Sequence, residues 1–203
     1  MEKFPILGRD VLDPAQRALW DELTLGPRGF YTGGAEAERV PDLYNAWLQF
    51  PEFGALMLRL GDALRACTAL SGKHRELVVL TTSALLGARV EFDFHVPFAL
   101  NEGLSQPLID AIGAGAPPPF ADEGERVIHA ANVQLLRTAR LEPALRAEAI
   151  ALIGHRGVMQ LIAAITLYAV TAWTTNVARV QLAEDFSADP DLLKDFFAGK
   201  TAG

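Results

Sequence analysis

From Gly157 to Ala178 the chain contains no Asp, Glu, Lys or Arg. A run of that length is either a membrane span or a helix whose surface is covered by protein. Gln160, the polar residues Thr166, Thr171, Thr174, Thr175 and Asn176, and many small alanines favour the covered helix. It is expected to be buried on most sides, in the core or at a subunit contact, with no membrane partner. Met1 to Arg9 is short and mixed, and Asp10 and Asp13 precede any apolar run, so no export signal is read there and the expected compartment is the cytoplasm.

Helical patterning continues through nearly all of the rest, strand-like alternation is scarce, and the expected fold class is all-α. Asp13-Pro14 reads as an N-cap followed by a first-turn proline, opening a helix to about Thr24. Gly26-Pro27-Arg28-Gly29 and Gly33-Gly34 then keep the chain irregular. Further helices are expected over Pro41 to Gln49, from Pro51 to near Cys67, from His74 to Leu86 behind a Ser71 cap, and over Val90 to Glu102. Ser105 caps a short helix ending near Gly113, and three consecutive prolines make Ala114 to Phe120 a loop. Helices over Asp122 to Thr138, Glu142 to Ile153 and Arg156 to Leu182 follow, with a peripheral one at Pro190 to Phe197. The expected organisation is an N-terminal extension (1–40), a helical domain (41–185) and a C-terminal tail (186–203).

A chain of 203 residues can bury a core without staples, and 50% hydrophobic against 21% charged residues excludes intrinsic disorder. A net charge of -7 argues against nucleic acid or an anionic membrane as the main partner, although one local Arg can still hold a small anion. The single cysteine, Cys67, excludes an internal disulfide and a dithiol redox pair. It is expected to be a small buried hydrophobe. Trp20, Trp47 and Trp173 are expected in the core or at an interface, and Tyr168 as a core phenol with one partner.

The residues with chemistry to offer cluster between Lys73 and Ser105. Glu76 lies in the first turn of a helix that continues Leu77-Val78-Val79-Leu80. Taken alone it suits a partly exposed carboxylate favoured by the helix dipole. Glu91 and His95, four apart, share a helix face among Phe92, Phe94, Val96, Pro97 and Phe98, while Asp93 points elsewhere. They fit a surface ion pair, a core histidine satisfied by a carboxylate, or a proton-transfer pair. A metal site would need a third ligand at plausible spacing, and neither His74 nor His155 supplies one, so no metal is expected.

The order Arg75-Glu76-Leu77-Val78-Val79-Leu80, then Val90-Glu91-Phe92-Asp93-Phe94-His95, then Ala99 and Gly103-Leu104-Ser105, resembles the carboxymuconolactone decarboxylase family, which also contains the AhpD-like alkylhydroperoxidases. Leu12-Asp13-Pro14 through Gly26-Pro27-Arg28-Gly29, Pro41 to Glu52 and the helix around Tyr168 extend the likeness over most of residues 10 to 180. In the peroxidase branch a helix Glu is followed by a CxxC pair and then a His. Glu76 and His95 match the Glu and the His, but Ala88 and Glu91 stand at the two cysteine positions. A dithiol peroxidase needs one thiolate to attack and a second to resolve the sulfenic acid. Glu91 is instead similar to the decarboxylase branch, where a carboxylate replaces the second cysteine.

The resemblance implies an all-helical subunit assembled into a homotrimer or hexamer, a small-molecule substrate bound near a subunit contact, and no cofactor. Mean hydropathy of +0.18 agrees with buried intersubunit surface. The reaction it implies is loss of carbon dioxide from 4-carboxymuconolactone, whose conjugated lactone is itself the electron sink. His95 is the expected proton donor or dienolate stabiliser, Glu91 its tuning partner, Glu76 a second relay or base, and Arg28 a candidate clamp for the substrate carboxylate. Isomerisation or lactone opening by the same groups, a noncatalytic oligomeric binder of small molecules, and an alkylhydroperoxidase-like antioxidant protein are the competing expectations.

Overall fold

The computed structural model describes residues 4–181, and among these it is helical with no strand. The helices are α1 (Pro14–Leu25), α2 (Gly29–Thr32), α3 (Asp42–Trp47), α4 (Pro51–Ala66), α5 (Gly72–Leu85), α6 (Arg89–Asn101), α7 (Gln106–Ala114), α8 (Glu123–Thr138) and α9 (Pro143–Ala178), with short 3-10 turns at Arg9–Val11 and Gly34–Glu36. The all-α expectation is met. The helix expected over Pro190 to Phe197 and the tail from 186 lie outside the described residues.

Local chemistry sets most boundaries. Asp13 and Gln16 form a reciprocal capping box, with Gln16 N donating to Asp13 Oδ1 at 2.8 Å and Asp13 N to Gln16 Oε1 at 3.0 Å. Ser71, Ser105 and Asp122 cap α5, α7 and α8 by accepting from the backbone N–H three residues on. Gly72 and Lys73 are already helical, so α5 starts earlier than the expected His74. The expected break after Ile153 is present: Gly154, at φ 66 and ψ 175, interrupts α9, and few residues other than glycine adopt that backbone.

α5 is the central element. Every residue from Arg75 to Ser83 is buried, and the helix packs against α6, α7, α8 and α9. Leu77, Val78, Val79 and Leu80 meet Phe92, Ile109, Ile128 and Leu161 in the main core. Two buried amides fix the register. Gln160 on α9 donates to Leu64 O at 3.0 Å and Cys67 O at 2.7 Å and accepts from Leu70 N at 2.7 Å. Asn132 on α8 donates to Val78 O at 3.0 Å and lies 3.1 Å from Thr82 Oγ1.

A second core joins the first forty residues to the rest. Leu19, Trp20 and Leu23 of α1 pack with Val40, Trp47, Leu48 and Leu58. Trp47 also donates from Nε1 to Thr174 on α9 at 3.2 Å. Trp173, in contrast, is 56% exposed, and with Met159 and Val177 leaves an apolar stripe on the outer side of α9. By length and composition α9 is apolar enough to cross a membrane. Its inner face, Leu161, Ala164, Tyr168 and Ala172, is buried in the protein core.

Candidate active site

Two consecutive helices build the site. Just past the end of α5, Gly87 has a φ of 64 that lets Gly87 N and Ala88 N turn back onto Ala84 O and Ser83 O at 3.2 and 2.8 Å. The chain then enters α6, which lies against α5. Glu76 near the start of α5 thereby meets His95 in the middle of α6. Glu76 Oε2 lies 2.8 Å from His95 Nδ1, and Glu91 Oε1, one turn before His95 on α6, lies 3.3 Å from Nε2. One imidazole thus bridges two carboxylates.

All three groups are buried: Glu76 is 0%, His95 3% and Glu91 7% exposed. Asp93 turns away and pairs with Arg89 at 2.7 Å. The ring edges of Phe94, Phe98 and Tyr168 surround the imidazole at 5.3, 5.6 and 5.4 Å between centroids, and Tyr168 is nearly perpendicular to it. Such rings seal the cluster from water and strengthen its internal electrostatics.

The sequence alone did not mark Arg75 as part of this site. It is buried, and its Nε sits 3.4 Å from Glu76 Oε1. Arg75 and a protonated His95 balance Glu76 and Glu91, so the buried cluster carries no net charge, which is the condition under which buried ions are tolerated. Burial by itself pushes the His95 pKa down. The charge of Glu76 and the hydrogen bonds to Glu76 and Glu91 outweigh it and raise it to about 9, so the ring is an imidazolium at neutral pH. Burial and the charges of Glu76 and Glu91 push the Tyr168 phenol well above its ordinary value, which keeps it protonated.

Arg28 is placed differently. It is 3% exposed and its Nη2 donates to Asp62 Oδ1 at 2.7 Å and to Leu58 O at 3.2 Å, tying the start of α2 to α4. Arg65 shares the same Asp62 oxygen. Cys67 is half-buried at the end of α4, not deep in the core as expected. A backbone hydrogen bond from Ala69 and a side-chain bond from Arg156 hold its thiol below the ordinary value. Among the described residues no group of three or more His, Cys, Asp or Glu side chains is disposed to hold a metal ion.

The segment that contributes Glu76, Glu91 and His95 also matches a family model. Residues 51–133 match the model of the carboxymuconolactone decarboxylase family. Arg28 and Tyr168 fall outside the matched segment. A search of curated proteins finds no match.

Proposed function

We propose that the protein is a cofactor-independent lyase of the carboxymuconolactone decarboxylase type, acting by acid–base chemistry on a small carboxylated lactone or enolisable acid. The observation that carries this reading is the buried imidazole of His95 held between Glu76 and Glu91. Decarboxylation of such a substrate places the electron pair on a conjugated lactone carbonyl, so the protein has to bind the carboxylate, stabilise the dienolate and protonate carbon. A charged imidazole in an apolar surround suits the last two tasks.

The geometry favours a different division of labour from the one the sequence suggests. Glu76, fully buried and at the shorter distance, fits the role of anchor for Nδ1–H, setting the orientation and charge of the ring. Glu91, slightly more open and at the longer distance, fits the side on which substrate approaches, where it either relays the Nε2 proton or gives way to the substrate. Arg28 would serve as a carboxylate clamp only by leaving or sharing Asp62. A rise in KM at constant kcat in Arg28→Ala keeps it in the site, and unchanged substrate binding removes it.

The proposal includes a soluble cytoplasmic homo-oligomer, trimer or hexamer, that covers Met159, Trp173 and Val177 on α9; light scattering on the purified chain tests it. A second reading, a noncatalytic oligomer that binds a small molecule, is favoured by the same closed bonding, since both ring nitrogens of His95 already have carboxylate partners. Turnover separates the two. Wild type should consume at least one member of a panel of carboxylated lactones and enolisable acids, followed by ultraviolet loss of the conjugated chromophore. A chain that binds panel members without converting any supports the second reading.

A further inference from the structure

A cavity of about 400 Å³ opens between α5, the C-terminal end of α7 and α8, and none of Glu76, Glu91 or His95 lines it. Apolar surface, with Leu85, Ile112 and Val133 among its residues, makes up about half of the walls. Three polar side chains interrupt these walls. Thr81 is fully buried and its Oγ1 has no hydrogen-bond partner, an arrangement that costs stability unless something is bound there. Arg137 is exposed at the rim and makes no ion pair among the described residues. His129 also lines the cavity, its ring 5.2 Å from that of Phe120 between centroids. Burial and the charge of Arg137 lower the His129 pKa, so the ring is neutral at pH 7. A second hollow of about 370 Å³ shares His129, Val133 and Arg137 and prolongs the cleft along α8.

We propose that this cleft is a second ligand site, for a small monocarboxylate with an apolar or aromatic body. The Arg137 guanidinium and the unpartnered Thr81 hydroxyl supply donors for one carboxylate, and one cation suits a monoanion better than a phosphate dianion. The remaining apolar wall takes the body of the ligand, and the volume is within the range of small-molecule pockets. The inference does not depend on the His95 cluster being catalytic.

The test is a titration of the intact chain with benzoate at pH 7, read from histidine ring resonances by NMR. The chain has four histidines, so each can be assigned by substitution. The expected result is a saturable shift of the His129 signals, weakened about tenfold or more in Arg137→Ala, the usual worth of a charge-assisted hydrogen bond. Thr81→Val should also weaken binding, yet leave the melting temperature unchanged or higher, because the hydroxyl it removes has no partner in the free protein. Shifts at His95 alone report binding at the α5–α6 cluster and overturn the proposal, as does the absence of a saturable His129 shift at millimolar benzoate. Affinity in Arg137→Ala equal to wild type overturns it too. Failure here leaves the proposed lyase function untouched, since that is read by turnover and by His95.

Discussion

Replacing Glu76 by Gln keeps the shape of the side chain and removes one buried charge. In the wild type the charge of Glu76 and its hydrogen bond lead the contributions that lift His95 against burial. Without them the ring faces burial with only Glu91 in support, and its titration midpoint should fall from about 9 to near 6.5 or below. At about 1.4 kcal/mol per pH unit, the wild-type rise is worth about 3 kcal/mol. Because the folded pKa lies above the unfolded one, that stabilisation is complete below about 6.5, is lost as pH climbs, and is gone above about 9. For a chain of this size about 1 kcal/mol shifts the melting temperature by about 2–4 °C, so Glu76→Gln should lower it by about 6–12 °C near pH 6. The deficit should shrink markedly by about pH 9.5, where the wild-type imidazole is neutral as well. The assays are calorimetry across pH and NMR titration of the His95 ring. A deficit that stays constant with pH, or a His95 midpoint within about one unit of wild type, would refute the reasoning.

Three further outcomes are expected. Turnover should decline as pH rises through about 9, because the proton donor is the imidazolium; a rate still rising beyond that pH would assign the donor elsewhere. Gly154→Ala should cost about 1–3 kcal/mol in denaturant unfolding through backbone strain alone, since an added Cβ would meet nothing within 4 Å. Gln160→Leu strands Leu64 O, Cys67 O and Leu70 N between α4 and α9, and its expected cost is about 3 kcal/mol by the same measurement.

Much of this architecture was legible because local signals and burial agree. Caps at Asp13, Ser71 and Ser105, the prolines 117–119 and the break after Ile153 are short-range chemistry, visible without tertiary context. The i,i+4 relation of Glu91 and His95 put them on one face, and the structure brings Glu76 to the same ring. What spacing could not show was the burial of Glu76, which depends on α5 being wrapped by four other helices. Nor could it show Arg75 as the compensating cation. A second charged residue beside Glu76, at the head of so apolar a run, was the signal available. The sequence makes Arg28 a candidate clamp for a substrate carboxylate, and its pairing with Asp62 is not visible there. Its partner Asp62 lies 34 residues away, a distance at which sequence pattern carries no information. Trp173 shows the converse limit, since an uncharged helix does not reveal which of its faces stays exposed.

The central claim is that His95, charged and enclosed by two carboxylates, hands a proton to a reacting carbon. Its most direct test is steady-state turnover of wild type and His95→Ala across the panel of carboxylated lactones and enolisable acids, with melting temperature and assembly size measured on both. The account predicts conversion of at least one substrate by wild type and a loss of about 10² or more in the variant, with fold and assembly retained. Equal turnover in His95→Ala, or none by wild type on any member, would contradict it.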